Sequence, residues 1–228
     1  MLIAGITKVS LSDYKNKVSS VIFTLGCNFL CPFCHNSSLA LSKANTIDEE
    51  EVFSYLAKRI GIIDGVVISG GEPTLQKDLL PFIKRIKEMG YEIKLDTNGT
   101  NYEVLKMLIE EKLIDYVAMD IKNGPSYYKE ISGKESVDIE VIKKSINLLI
   151  NSGIDYEFRT TLVKEYFSLE SIKEMGEFIK GAKQLYLQKF VSNENCINKD
   201  LHEVNEKEAN EYASLLNQCI DVVELRGY

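Results

Sequence analysis

Three cysteines lie within eight residues of this chain, in the stretch CNFLCPFCHN that begins at Cys27. The spacing C-x3-C-x2-C puts Cys27, Cys31 and Cys34 on one short loop. Iron-sulfur clusters are held by cysteine thiolates, and four ligands complete a cluster of four irons. Three protein ligands leave one iron with a free coordination position, which is how a metal centre engages a substrate. The loop therefore predicts a [4Fe-4S] cluster that is open to a further ligand.

A zinc site is the alternative interpretation of this loop. Its fourth ligand would be His35, His202, Cys196 or Cys219. His35 directly follows Cys34, so these two side chains reach the same metal only awkwardly. Zinc sites also usually consist of paired CxxC or CxxH arms, and the second arm is missing here. The spacing favours the cluster, and a metal-binding module without catalytic activity is the non-enzymatic alternative.

Polar, charged or glycine-rich residues also occur where the later predicted strands end. They are Gly70, Gly71 and Glu72 in SGGEP, Asp96 and Asn98 in LDTNGT, Asp120 and Lys122 in AMDIK, and Arg159 in FRTTL. Glycines let a backbone approach a ligand closely, and the Glu72 carboxylate can accept a hydrogen bond from an ammonium group. Each motif also has a plain alternative, namely a glycine turn, an Asn-Gly turn or a surface ion pair. Arg159 interrupts an apolar strand, so we expect it to have a carboxylate partner, either from the protein or from a ligand.

Short apolar runs alternate with amphipathic stretches along the whole chain. The predicted strands are 18–25, 65–69, 91–96, 116–121, 154–163 and 184–190. The predicted helices are 48–59, 79–89, 102–111, 138–151, 168–180 and 205–218. Strands and helices in strict succession imply a parallel sheet with right-handed crossovers.

Six strands predict an α/β fold, a partial (β/α)6 barrel with an N-terminal β extension in which residues 13–17 form a hairpin turn. We expect one domain over residues 1–228, with a core at about 18–190 and a C-terminal loop and helix at 191–228. In parallel α/β folds the chemistry gathers at the carboxyl ends of the strands. The cysteine loop and the polar motifs therefore predict a site at one mouth of the barrel.

The composition limits the class of partner. The chain has 228 residues and a formal net charge of -7, which argues against binding to nucleic acid or to an anionic membrane. No apolar stretch approaches the length of a membrane span, and the N-terminus has no secretory leader. We therefore expect a cytoplasmic protein, in a compartment where clustered thiols stay reduced.

At this point the motifs resemble a known family. The cysteine loop with an aromatic residue before its last cysteine, followed one strand later by GGEP, resembles the radical S-adenosylmethionine (SAM) enzymes. Within them, TLGCNFLCPFCHN, SGGEPTLQ, DTNGT and MDIK resemble activating enzymes of glycyl-radical proteins, most closely those of anaerobic ribonucleoside-triphosphate reductase. The resemblance runs from Gly5 to the ELRG sequence that ends at Gly227. It departs from the family at residues 13–17, where many such sequences have a Pro-Gly turn.

The resemblance implies a role for each motif in cofactor binding. Cys27, Cys31 and Cys34 would hold the [4Fe-4S] cluster, and the methionyl amine and carboxylate of SAM would chelate the fourth iron. The implied SAM contacts are Gly70, Gly71 and Glu72 at the amine, Asp96 and Asn98 at the ribose or methionyl end, Arg159 at the carboxylate, Phe33 beside the adenine, and the backbone of Leu187 or Gln188 at the adenine. Asp120 and Lys122, at the end of a predicted strand, complete the predicted cofactor-binding set.

The reaction implied by the resemblance is a radical transfer to another protein. One electron cleaves SAM to methionine and a 5′-deoxyadenosyl radical, which takes a hydrogen atom from a glycine of a partner glycyl-radical enzyme. A flavodoxin or ferredoxin would supply the electron. The alternative within the superfamily is an enzyme that acts on a small molecule, such as a 7-carboxy-7-deazaguanine synthase. The radical transfer requires no acid-base pair, which agrees with a chain that has only two histidines.

Overall fold

The structure, a computed structural model, describes residues 1–228. Its strands are β1 (Ile3–Ser10), β2 (Ser19–Thr24), β3 (Gly65–Gly70), β4 (Glu92–Thr97), β5 (Tyr116–Asp120), β6 (Asp155–Leu162), β7 (Gln184–Lys189) and β8 (Val222–Arg226). Its helices are α1 (Ser37–Ala40), α2 (Glu49–Ala57), α3 (Leu79–Glu88), α4 (Tyr102–Glu110), α5 (Tyr128–Ser132), α6 (Ile139–Ser152), α7 (Leu169–Phe178) and α8 (Glu206–Leu216). Two 3-10 turns occupy Pro73–Leu75 and Pro125–Tyr127. None of the helices is both long and apolar enough to cross a membrane.

The eight strands form one sheet in the order of the sequence, from β1 to β8. β1 pairs with β2 in antiparallel fashion. The pairs β2–β3, β3–β4, β6–β7 and β7–β8 are parallel. Because β1 and β8 are the two ends of this order, the sheet does not close on itself. The predicted fold class is confirmed: the fold is α/β, with an open and mostly parallel sheet and an N-terminal β extension.

The last strand of the sheet was missed by the prediction. Helix α8 was expected to end the chain, but β8 follows it and pairs in parallel with β7, with Leu187 opposite Leu225. The signal is weak because β8 has five residues at the edge of the sheet and carries Glu224 and Arg226 on its more exposed side. Cys219 lies between α8, which ends at Leu216, and the start of β8.

Contacts divide the chain into two compact units, and the first consists of Met1–Asn28, Ser38–Thr97 and Asn101–Ala118. The predicted hairpin is present, with Ser10 opposite Ser19 and a turn hydrogen bond of 3.1 Å from Lys17 N to Tyr14 O. Asp48 begins α2 as expected, because its Oδ1 accepts from Glu50 N at 2.9 Å. These contacts fix the strands that carry the first part of the predicted site.

The second unit consists of Phe29–Ser37, Asn98–Thr100 and Met119–Tyr228. Helix α6 ends at Gly153, whose φ of +78° is the left-handed conformation that favours glycine. Helix α7 begins with a capping box in which the side chains of Ser168 and Ser171 each accept from the backbone N–H of the other. The second unit carries Cys31, Cys34 and the charged residues that follow β5. Whether residues 1–228 behave as a single domain stays a prediction.

Candidate cofactor site

The glycine turn after β3 packs directly against the start of the cysteine loop. Glu72 N donates to Gly26 O at 2.8 Å, and Gly71 N donates to Thr24 O at 3.0 Å. A Cβ added to Gly71 would lie 1.9 Å from Gly26 O, and one added to Gly70 would lie 2.3 Å from Thr24 N. These distances leave no room for a side chain, so the two glycines allow the backbone beside Cys27 to approach β3.

Glu72 is buried, with 1% of its surface exposed. Its Oε1 accepts hydrogen bonds from Thr74 N at 3.1 Å, Thr74 Oγ1 at 2.6 Å and Thr97 Oγ1 at 2.7 Å. The carboxylate thereby caps the 3-10 turn Pro73–Leu75 and joins it to the last residue of β4. This oxygen has a structural role that the sequence analysis did not foresee, and the predicted contact with an ammonium group stays a prediction.

Asp96 lies beside a buried lysine that the sequence analysis missed. Asp96 Oδ2 accepts from Ser69 Oγ at 3.0 Å, and its Oδ1 is 3.3 Å from Lys94 Nζ. Lys94 is 4% exposed and also donates to Asp13 O at 2.6 Å. The sequence does contain a signal for this contact, because a lysine stands between Ile93 and Leu95 in the middle of a predicted strand. Such a lysine must pair with oxygen atoms when it is buried.

Cys31 and Cys34 lie close together on the second part of the cysteine loop. Cys34 N donates to Cys31 O at 2.9 Å, which closes a tight turn. Burial raises the pKa of both thiols, and the ammonium of Lys122 partly opposes that effect. Both thiols are therefore mainly protonated near neutral pH, and a metal that binds them must release protons. Two close thiols beside a cation are a suitable environment for an iron-sulfur centre, whose thiolates and sulfides carry negative charge.

Asp120, Lys122 and Arg159 form one ion-pair network at the end of β5. Arg159 Nε lies 3.0 Å from Asp120 Oδ1, and Lys122 Nζ lies 3.1 Å from Asp120 Oδ2. Burial alone would raise the pKa of Asp120, but the charges of Arg159 and Lys122 outweigh it and lower the pKa from 3.8 to about 2. Arg159 thus has the carboxylate partner that the sequence predicts, and this partner belongs to the protein.

Asp120→Asn should therefore destabilise the fold in a pH-dependent manner. The lowered pKa corresponds to at most about 2 kcal/mol of stability, because Asp120 is only partly buried. A lowered folded-state pKa contributes fully above pH 4, and the contribution is lost as the pH falls from about 4 to about 2. Urea unfolding should show a clear loss for Asp120→Asn at pH 7 and a smaller one at pH 3. Glu50→Gln, which breaks an exposed pair with Arg85, should show little change at either pH.

The aromatic and amide residues predicted to contact SAM are held by neighbours in the second unit. Phe33 is 7% exposed, with its ring centroid 6.4 Å from that of Tyr166 and 5.9 Å from Lys122 Nζ. Asn98 Oδ1 accepts from Thr100 N at 3.1 Å and from Thr100 Oγ1 at 2.6 Å, as in a simple turn. These contacts fix both side chains, and their roles towards SAM stay predictions.

Gln188 and Leu187 lie on opposite faces of β7. Leu187 is fully buried, whereas Gln188 is partly exposed and pairs with Thr161 on β6 and Arg226 on β8. Successive side chains of a strand point to opposite faces, so only the Gln188 side chain lies on the face that also carries Arg159. The predicted backbone contact with adenine stays open for both residues.

A polar loop after β7 lies against the cysteine loop, which the sequence analysis did not foresee. Asn198 N donates to Pro32 O at 2.8 Å, and Ser37 Oγ donates to Asn195 O at 2.5 Å. The ring of His35 stacks on Phe190, with centroids 5.6 Å apart. These contacts involve residues on both sides of Cys34 in the cysteine loop. They join residues that are more than 150 positions apart in the sequence.

In residues 1–228 the structure has no group of three or more His, Cys, Asp or Glu side chains arranged so that they could hold a metal ion. The fit of a cluster is therefore judged from the donors. These are three thiols at a spacing typical of such sites, two of them close together and beside the partly buried cation Lys122. This donor set fits an iron-sulfur cluster better than a hard cation, which prefers oxygen ligands.

Comparison with known proteins agrees with this chemistry. Residues 21–179 match the radical SAM superfamily. The chain belongs to the radical SAM superfamily. As the resemblance implied, this radical SAM enzyme uses a [4Fe-4S] cluster and SAM. The extent of the match, more than half of the chain, excludes a chance likeness of the cysteine loop alone.

Two relatives and one solved structure indicate which radical SAM enzymes are similar. A Methanocaldococcus jannaschii protein, provisionally named as a glycyl-radical enzyme activating enzyme, is 39% identical over 99% of this chain and 95% of that protein. A Thermococcus kodakarensis protein, provisionally named as a GTP 3′,8-cyclase, is 27% identical over 73% of this chain and 61% of that protein. A crystal structure of a domain of a pyruvate-formate lyase-activating enzyme from Bacteroides vulgatus has a TM-score of 0.58 at 18% identity, covering 72% of this chain and 99% of that chain. At that identity the structure shows the shared fold alone.

Proposed function

We propose that this radical SAM enzyme activates a glycyl-radical enzyme, and that its partner is an anaerobic ribonucleoside-triphosphate reductase. The observation that carries the proposed activation is the likeness, over nearly the full length of both chains, to a protein named as an activating enzyme. The choice of the reductase as partner rests on the resemblance of the motifs alone. The cytoplasm is the proposed compartment, because clustered thiols need a reducing one. A flavodoxin or ferredoxin is the proposed electron donor.

The proposal assigns the cluster to Cys27, Cys31 and Cys34. When bound, the cluster and SAM supply a 5′-deoxyadenosyl radical that can take a hydrogen atom from a glycine Cα. The turn from Cys31 to Cys34 holds two of the thiols at a fixed spacing. Lys122 adds a positive charge beside them, which favours their ionised, metal-binding form.

The polar residues at the strand ends orient SAM in this proposal. Gly70 and Gly71 would face the methionyl amine with their backbone groups, and the absence of side chains lets this turn pack against the backbone beside Cys27. Asp120 holds Arg159 in place through its Nε, and Arg159 would pair with the methionyl carboxylate. Residues that are already fixed lose little entropy when the cofactor binds.

A radical-transfer assay tests the proposal. The protein is reconstituted with iron and sulfide under anaerobic conditions, reduced, and mixed with SAM and the anaerobic ribonucleoside-triphosphate reductase of the same organism. We expect 5′-deoxyadenosine, methionine and a doublet radical signal on the reductase. The doublet should collapse when the reductase contains α-deuterated glycine, because its splitting arises from the hydrogen that remains on the glycine Cα.

The same mixture without the reductase separates the competing reactions. GTP and a deazaguanine precursor, added in turn, serve as small-molecule probes. The proposed activation is rejected if SAM cleavage depends on GTP or on the deazaguanine precursor and the assay with the reductase shows no radical on it. The GTP arm is included because a cyclase is among the relatives.

A further inference from the structure

Helix α5 connects the end of β5 to the cysteine loop within the second unit. Before the helix, Lys122 N donates to the hydroxyl of Tyr128 at 3.2 Å. At its far end, Leu30 N donates to Ser132 O at 2.8 Å. A Cβ added to Gly133, which ends the helix, would lie 2.3 Å from Leu30 O. The five residues of α5 therefore contact the cysteine loop at one end and the Lys122 backbone at the other.

We propose that Tyr128 is a positioning residue for the cofactor site, because its hydroxyl fixes the Lys122 backbone relative to the cysteine loop that α5 contacts. This inference rests on the proposed function only in that Cys31 and Cys34 hold the cluster. Neither Tyr128 nor Gly133 was singled out by the sequence, because their contacts are made across the fold.

Burial makes the Tyr128 hydroxyl sensitive to replacement. Tyr128 is fully buried, and its ring packs edge-on against Phe178 with centroids 6.2 Å apart. A buried tyrosine hydroxyl generally forms a hydrogen bond, and a buried backbone N–H that loses its acceptor is destabilised. Removing only the oxygen would keep the ring packing and release Lys122 N from this contact. Tyr128→Phe thus tests whether the hydroxyl positions the Lys122 backbone, and it leaves the core volume nearly unchanged.

The Lys122 ammonium extends from the backbone that Tyr128 positions. It lies 3.1 Å from Asp120 Oδ2 and 5.9 Å from the ring centroid of Phe33, the residue before Cys34. A reduced cluster carries one more negative charge than an oxidised one, so a fixed cation nearby favours reduction. When Lys122 is held less firmly, the midpoint potential of the cluster should become more negative.

The chain offers a matched control for Tyr128. Tyr156 is also buried, and its hydroxyl accepts from a lysine backbone N–H, that of Lys183, at 3.0 Å. Tyr156→Phe therefore removes the same group from a similar setting, but the hydrogen bonds of Lys183 go to Tyr156 and Val222, and none joins it to the cysteine loop. A general loss of stability would affect both variants, whereas a positioning role would affect Tyr128→Phe alone.

The experiment compares wild type, Tyr128→Phe, Tyr156→Phe and Lys122→Met after anaerobic reconstitution. Iron per chain and the midpoint potential of the cluster are measured without SAM. We expect equal iron in wild type and in both tyrosine variants, with a more negative potential in Tyr128→Phe and in Lys122→Met only. Equal potentials in the two tyrosine variants would overturn the inference. A wild type that binds no cluster would instead reject the proposed function.

A pair of glycine variants decides the question if Tyr128→Phe does not fold. Gly133 and Gly153 both end helices with positive φ, +65° and +78°, so alanine strains the backbone at each. A Cβ at Gly153 meets nothing within 4 Å, whereas one at Gly133 meets the cysteine loop. We expect iron per chain to fall several-fold in Gly133→Ala and to stay at the wild-type level in Gly153→Ala. Equal iron in the two would overturn the role of α5.

Discussion

Cys31→Ala should bind no [4Fe-4S] cluster and should cleave no SAM. Cys31 is 7% exposed, and its carbonyl accepts the hydrogen bond that holds Cys34 in the turn. Its removal leaves two of the three predicted ligands, too few to hold a cluster of four irons with one open position. After reconstitution, iron per chain and the broad absorbance of iron-sulfur centres should fall to background, and 5′-deoxyadenosine should not form.

Cys219→Ala is the control for this prediction. Cys219 follows the end of α8, and its Sγ lies 3.4 Å from Glu177 Oε1. Its loss should leave iron content and SAM cleavage at the wild-type level. Retention of the full cluster in Cys31→Ala would show that another side chain is the ligand. An equal loss in both variants would show that the ligands were assigned wrongly.

Gly71→Ala should destabilise the first unit by about 3 kcal/mol or more. The new Cβ would lie 1.9 Å from Gly26 O and 3.2 Å from Cys27 N. Both are backbone atoms and cannot turn away as a flexible side chain can, so the strand end and the cysteine loop must separate. Urea unfolding measures the lost stability, and reconstitution should show a parallel loss of bound iron.

Gly5→Ala is the matched control in the same unit. Gly5 lies on β1, has no positive φ, and a Cβ there would meet nothing within 4 Å. Alanine should change the stability by less than about 1 kcal/mol, because it mainly restricts the unfolded chain. Similar unfolding curves for Gly71→Ala and Gly5→Ala would contradict the close approach of the glycine turn to the cysteine loop.

The fold was largely predictable from periodicity. Alternating apolar runs and amphipathic stretches predicted the order of the strands and helices from β2 to α8, apart from the short helices α1 and α5. β8 was not predictable, because a short edge strand with two charged residues has little apolar signal. Strand pairing also depends on partners that are distant in sequence.

The site was predictable only where residue type and spacing carry the signal. The cysteine spacing, the two glycines and the need of Arg159 for a carboxylate could all be inferred from local sequence. The three hydrogen bonds to Glu72 Oε1, the buried Lys94 and the contacts of α5 could not, because each joins residues that come together only in the fold. Whether a buried polar group has a hydrogen-bond partner depends on the tertiary structure.

The most direct measurement is electron-nuclear double resonance on the reduced, reconstituted protein with SAM that carries 15N in the methionyl amine. If the three cysteines leave one iron open to SAM, the cluster signal should show a hyperfine coupling to 15N and should change when SAM is added. The coupling should be absent with unlabelled SAM. A cluster signal that is identical with and without SAM and shows no 15N coupling would mean that a fourth side chain fills the position, and the proposed chemistry would be wrong.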